Sequence, residues 1–504
     1  MAGAGCGDCA GGSYMSAYER FLELVRRHGL LGQVEALLDW DRQVMMPSGA
    51  GSLRAQEEAV VAQMRHEVLA SEEMGRALRN LLSGDLDEDL EVVVREVAWQ
   101  HARACKVPAD LVAQIARAAS IGNAAWQEAR AKSDFAVFAP HLTRMVELRS
   151  QEAHAIDASR PAYDVLLEGY EKDLSREEVD SFLRKIRDGL VHVRPRPPVV
   201  LPEVQVDEAV QLPFIRGMAQ ALGYDAGLGR IDLSTHPFTT FHGRFTTRLS
   251  SGWVMAVLGA LHEFGHALYE QQLPREQYGT PLGSSMGMSV HESQSRLWEN
   301  HVGRSDAFWS CWFPKMREAY GLPFDKEVFV AALSSSRPGF IRVDADELTY
   351  PLHVILRYEI ERDLVEGRLG VAELPRVWNE RMNAYFGRVP PDDARGCLQD
   401  THWSSGAIGY FPTYVLGSMI AAQLWRRSSS SSRMWRTRCE REGSELIGSW
   451  LKEKVHSHGQ TISRAGTCEA GDGPGVVGRC IYAPPYGAVW FVRRLSSSIC
   501  SRMT

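Results

Sequence analysis

From Ser16 to Ala158 the apolar positions recur three and four residues apart, as in Tyr18, Phe21, Leu22 and Val25 and again in Leu31, Val34, Leu37 and Leu38. That spacing lines one face of an amphipathic helix. Further helices are predicted over Ser52–Ala70, Leu86–Ala104, Ala109–Lys132 and His141–Ser159, the last opening after Pro140. Pro47-Ser48-Gly49 stops the first of these runs. The pattern continues as helix from Tyr163 to Leu190, where Ser175 precedes Arg176-Glu177-Glu178 as an N-cap with an acidic first turn. The prolines at 195, 197 and 198 then break it, and their density predicts an extended linker.

Strand composition is concentrated in Leu233–Leu249, where Thr239, Thr240, Phe241, Phe245, Thr246 and Thr247 stand between Gly and Ser. Helical patterns return from Gly303 to Asn383, most clearly over Leu348–Leu364. Past Leu424 the character changes: Arg426-Arg427 leads into the serine run at 428–432, and Ala465–Thr504 has no periodicity. The chain reads as mainly α, with a small sheet edge directly before an apolar helix.

Composition narrows the function classes. Of 504 residues, 44% are hydrophobic and 24% charged, which is ordinary for a globular protein with a large core. A formal charge of -7 argues against a basic surface that holds nucleic acid. No apolar run has the length of a membrane span, and Met1–Ser13 lacks the apolar centre of a secretory signal, so no membrane partner and a cytoplasmic location are expected. Nine scattered cysteines fit reduced thiols better than a disulfide framework. Cys6 and Cys9 form a C-x-x-C with no second pair at zinc-ribbon spacing, which leaves little case for structural zinc there.

Chemistry enters at Leu261–Tyr269, which contains H-E-x-x-H inside an apolar run. Residues four apart on a helix share a face, so His262 and His266 can both turn an imidazole nitrogen toward one ion. Glu263 lies beside that ion, better placed to take a proton from water than to ligate. A catalytic zinc needs a third protein ligand. Glu292, in the amphipathic run Val290–Asn300, supplies it, because the Pro- and Gly-bearing segment 274–289 reads as a loop that folds the second helix back on the first.

These residues resemble the M32 metallocarboxypeptidases, the carboxypeptidase Taq type. The resemblance rests on ordered blocks: His236-Pro237-Phe238, Arg244-Phe245-Thr246, His262–Gln271, His291-Glu292-Ser293-Gln294, Ile341–Asp346 and Gly396–Trp403. Leu37–Asp41 leading to Met45-Met46-Pro47 resembles the family's N-terminal signature. The likeness covers about 13–424 and, more weakly, 446–459. It implies a mainly α, zincin-type fold with a deep substrate groove. The N-terminal helices, about 13–190, would form a lid, the zinc-binding core would span about 230–424, and 425–504 is a divergent region without assigned function. A homodimer is implied as well.

By the same resemblance, one zinc per chain, replaceable by cobalt, is held by His262, His266 and Glu292, with Glu263 as general base. His402 with Tyr410 or Tyr414 are the candidate donors to the oxyanion of a tetrahedral intermediate. Asp346 and Asp400 are candidates for orienting a histidine. Substrate contacts fall to His236, Arg244 and Arg342. One of the two arginines is expected to hold the terminal carboxylate of a peptide, while the acidic neighbours Asp344 and Asp346 offer Arg342 an alternative ion pair. One departure stands out: His242 occupies the place of the acid in the family's D-x-R-x-T. The leading expectation is a carboxypeptidase of broad specificity acting on peptides with a free C-terminus. An oligopeptidase or endopeptidase on the same scaffold is the alternative, since H-E-x-x-H does not say which bond is cut. A non-catalytic peptide binder would not need Glu263, and a structural zinc site is usually closed by four Cys or His ligands.

Overall fold

The computed structural model describes residues 17–172, 174–193, 198–234, 236–249, 252–430 and 443–461. Cys6, Cys9, the prolines at 195 and 197 and the tail from 462 lie outside these residues, and so do the expectations placed on them. Helices account for most of the described chain.

The first four long helices pack around a separate core, which Leu282 joins. Ala17–Val44 and Gly51–Leu69 make a hairpin, and Glu72–Leu82 and Glu88–Lys106 join it around Phe21, Leu24, Met74, Leu78, Val94 and Val97. Ser71 and Asp87 cap the latter two by accepting from Met74 N at 3.1 Å and Leu90 N at 2.8 Å. Ala109–Lys132 has its predicted bounds. Its neighbour does not: the helix expected from His141 begins at Phe135 and carries Pro140 inside it. Asp134 caps it by accepting from Ala136 N at 3.0 Å, and burial of Phe135 and Phe138 offsets the one hydrogen bond that Pro140 forfeits.

The continuous helix expected over Tyr163–Leu190 is likewise two helices, Ala162–Glu168 and Arg176–Leu190, the second opened by a capping box between Ser175 and Glu178. The turn between them carries Glu171. Residues from Phe135 to Leu190 share one hydrophobic core with Leu348–Ala422, so the segment expected as a lid, about 13–190, spans two cores.

Three short strands, β1 (Ile231–Leu233), β2 (Thr239–Thr240) and β3 (Arg244–Thr247), form a sheet in the order β1-β3-β2. β1 runs parallel to β3 and β2 antiparallel, with Thr239 opposite Phe245. The sheet lies along the helix Trp253–Gln272, which is buried on nearly every side. Met288–Arg296 crosses that helix at Gly265, where a Cβ would meet Gln294 O at 2.5 Å; only glycine permits so close a crossing. On the other side Pro412–Ser430 presses Gly417 against Glu292, where a Cβ would meet Cγ at 2.6 Å. Three helices thus close around one carboxylate.

Residues 443–461 belong to the same core. Ile447, Leu451 and Val455 are buried in it, and His456, fully buried, bridges Gln272 (2.6 Å) of the first helix and Gln294 (2.9 Å) of the second. The weak resemblance over 446–459 therefore coincides with a brace on both helices. No helix among the described residues is long and apolar enough to cross a membrane.

Candidate active site

His262 and His266 sit one turn apart on Trp253–Gln272, with ring centroids 5.0 Å apart. Their Nε2 atoms face Glu292 Oε2 at 3.7 and 3.4 Å, and one ligand atom from each of the three residues lies within 4.8 Å of the others. The remaining imidazole nitrogens are engaged elsewhere. His262 Nδ1 donates to Glu299 Oε2 at 2.8 Å. His266 Nδ1 meets His291 Nδ1 at 2.6 Å, and His291 Nε2 reaches Glu270 Oε1 at 3.0 Å. Each ring is thereby fixed so that its Nε2 points inward, the arrangement that presents neutral imidazole to a metal.

Electrostatics divide the ligands: burial lowers His262, but Glu292 and Glu299 outweigh it and raise the ring above its ordinary range, so its proton must leave when a metal binds. Burial pushes the Glu292 carboxyl up, but Arg296 and the two histidines outweigh it and hold the group well below the usual carboxylate range. Arg296 Nε donates to Glu292 Oε1 at 2.7 Å, and its guanidinium lies over the Tyr350 ring at 4.1 Å. Burial drives His266 down to about 3, so it stays uncharged. An ionised carboxylate and imidazole nitrogens without another partner, converging in a buried site, fit a divalent metal.

Glu263 is 7% exposed, and burial raises its carboxyl above the ordinary range. Thr239 Oγ1, on β2, lies 2.6 Å from its Oε2 and fixes its direction. Beyond it, the loop before Pro412–Ser430 brings His402 and Tyr410 against Tyr414, in the first turn of that helix. His402 Nε2 is 3.0 Å from Tyr414 Oη, and the Tyr410 and Tyr414 rings meet edge-on at 5.1 Å. Burial and then Arg342 lower His402 to about 3. Burial raises both tyrosines, and the Glu292 charge adds to it, so their hydroxyls keep their protons.

The two arginines have different surroundings. Arg342 is buried and paired through Nε with Asp400 Oδ1 at 2.9 Å and through Nη1 with Tyr350 Oη at 3.1 Å. Its partner is Asp400 rather than Asp344 or Asp346. Arg244, at the start of β3, has no carboxylate partner among the described residues; its guanidinium lies over the Trp40 and Phe241 rings. His236 is exposed. Asp346 accepts from Ser336 Oγ and from the backbone of Arg337, Leu348 and Thr349, and Asp400 from Arg342 and Arg357; neither shows a histidine among its hydrogen bonds. Glu299 and Glu270 do that orienting instead. Of these, Glu299 was within reach of sequence reasoning, since 292, 296 and 299 share one helical face.

Glu361 anchors the loop carrying His402 and Tyr410. It accepts from Tyr163 Oη (2.5 Å), Gly409 N (3.2 Å) and Trp403 Nε1 (3.2 Å), and burial pushes it up to about 8. Between pH 4.5, its ordinary value, and about 8 the folded chain keeps a proton that the unfolded chain gives up, so this group makes stability fall as pH rises. The slope is at most about 1.4 kcal/mol per pH unit. His402 and His456, each lowered to about 3 chiefly by burial, act the other way below about pH 6.5. The difference between Glu361→Gln and the parent isolates Glu361: the stability of the parent relative to the variant is expected to fall as pH rises from 5 to 8. The offset is uninformative, because the new amide turns a donor toward Trp403 Nε1. An unchanged slope would remove the buried proton from the account.

An H-E-x-x-H helix crossed by a second helix that contributes a carboxylate, all within a helical frame, defines a metallopeptidase. The chain belongs to the carboxypeptidase Taq (M32) metallopeptidase family, whose model matches residues 20–476. It is 35% identical over 471 residues to thermostable carboxypeptidase 1 of Thermus thermophilus, covering 88% of this chain and 92% of that one. With carboxypeptidase 1 of Bacillus subtilis it shares 32% over 464 residues, with the same coverage of each chain. Among solved structures, Trypanosoma cruzi metallocarboxypeptidase 1 superposes with a TM-score of 0.87 at 29% identity, over 95% of this chain and 99% of that one. The protein is a metallocarboxypeptidase, and peptides are its substrates.

Proposed function

We propose that this chain removes C-terminal residues from peptides with broad specificity, using a zinc ion held by His262, His266 and Glu292. The observation that carries the assignment is the convergence of the two Nε2 atoms and Glu292 Oε2, with the opposite nitrogens tied to Glu299 and His291. Bound there, zinc supplies Lewis acidity that polarises a carbonyl and acidifies a water; cobalt would do the same. Glu263, aimed by Thr239, takes the proton of the attacking water and later delivers it to the leaving amine. Tyr410 and Tyr414, the latter steadied by His402, donate to the developing oxyanion. The peptide lies along the edge strand β2, and His236 borders the same end of the site.

Arg244 binds the terminal carboxylate. Its lack of an acidic partner among the described residues supports this role, whereas Arg342 is committed to Asp400. The test compares an N-acylated peptide with its C-terminal amide. The free acid should lose its last residue and the amide should be nearly inert; Arg244→Ala should weaken the acid substrate by about 1.5–3 kcal/mol. Equal cleavage of both, or cuts well inside the chain, would favour an oligopeptidase. A cytoplasmic location and a homodimer complete the reading on resemblance to the family, and sedimentation of the purified protein tests the second.

A further inference from the structure

The N-terminal helix meets the sheet at Trp40. Trp40, in the last turns of Ala17–Val44, is only 4% exposed and lies beneath two guanidinia, Arg230 at 5.0 Å and Arg244 at 5.2 Å from its ring centre. Two cations on one indole would repel unless one were neutralised. Arg230 is: its Nε and Nη2 donate to the two oxygens of Asp232 at 2.6 and 2.7 Å. Arg244 has no such partner among the described residues, so the net positive charge of the cluster rests on it. Phe241, also 5.2 Å from the Arg244 guanidinium, gives it a second aromatic neighbour. Trp40 Nε1 is itself buried without a hydrogen-bond partner among the described residues. A buried donor without an acceptor, beside an unpaired guanidinium, is an arrangement that an anionic ligand would complete.

We propose that Trp40 is a positioning and specificity-determining residue for the carboxylate end of the peptide, holding Arg244 by a cation–π contact from the N-terminal helix. The inference rests on the reading of Arg244 as the carboxylate receptor. Aromatic faces restrain the guanidinium without using its hydrogen-bond donors, so Arg244 is held in place with its fork free. A salt bridge would hold it equally well but occupy those donors. The N-terminal helical unit thereby contributes to substrate selection.

The test is a double-mutant cycle on the full chain with an N-acylated free-acid peptide, using Trp40→Leu, Arg244→Ala and the pair. Trp40→Leu is expected to raise KM roughly tenfold with kcat within about twofold. Combined with Arg244→Ala it should add little, because the indole acts through the guanidinium. Trp40→Phe, which keeps an aromatic face, should fall between parent and Leu, and it decides the matter if the Leu variant fails to fold. Additive effects in the pair, a fall in kcat with KM unchanged, or a parental KM in the variant that folds would each overturn the proposal. The two possible failures are separable. If Arg244→Ala leaves KM unaltered, the reading of Arg244 is wrong; if Arg244→Ala raises KM and the Trp40 variants do not, only the role of Trp40 falls.

Discussion

Glu263→Gln is expected to lower kcat by about 10²–10⁴-fold while the purified variant retains close to one metal per chain. The substitution keeps shape and leaves an oxygen to accept from Thr239 Oγ1, which stands 2.6 Å from Glu263 Oε2. It touches none of His262, His266 and Glu292, the residues whose donor atoms converge. What it removes is the capacity to hold a proton between attack and departure. Burial raises the Glu263 carboxyl, which makes it a stronger base than an exposed carboxylate. Binding of the free-acid peptide should change little, since Arg244 is untouched. Metal analysis together with single-turnover kinetics reads both halves of the expectation. A variant that turns over at near-parental rate with metal in place would move the proton-transfer role to another group, and His402 would be the first to examine.

The sequence disclosed the centre of the site and little of what surrounds it. His262, Glu263 and His266 are legible because a helix converts spacing in the chain into a shared face, and Glu292 because the loop at 274–289 returns the chain to it. The third helical contact, Gly417 on Glu292, joins residues 125 positions apart by the closeness of two backbones, and no periodic pattern encodes that. The partners of the ligands are mixed. Glu299 lies on the face of Glu292, but the pairing of His266 with His291 depends on the crossing angle at Gly265. Thr239 and Trp40 reach the site from a strand and from a distant helix, through contacts that exist only after folding. Helix boundaries failed for local reasons: at Pro140 the reading favoured a break, whereas Asp134 and two buried phenylalanines start the helix earlier. The stretch 446–459 resembled the family only weakly, yet its His456 joins both helices of the candidate site.

Stripping the metal should abolish activity, and zinc or cobalt should restore it in the parent but not in His266→Ala or Glu292→Ala. Two donors cannot hold a catalytic ion against a chelator as three can, so both variants are expected to be isolated without stoichiometric metal. Glu292→Ala has a second effect. It leaves Arg296 buried with Glu299 as its remaining carboxylate partner, a cost below the about 3–5 kcal/mol of a buried charge left wholly unpaired. A fall in unfolding temperature should therefore accompany metal loss there, whereas His266→Ala, which removes an uncharged ring, should be the milder of the two in the metal-free state. His291→Ala grades the series. All three ligands remain, but His266 loses the contact at its Nδ1, and metal affinity should weaken by about 10- to 100-fold, measurable by competition with a chromogenic chelator. At saturating zinc this variant should recover most of its activity. Full activity in a parent sample verified to be metal-free would remove the metal from the reaction, and unchanged metal affinity in His291→Ala would reduce the contact between the two histidines to packing.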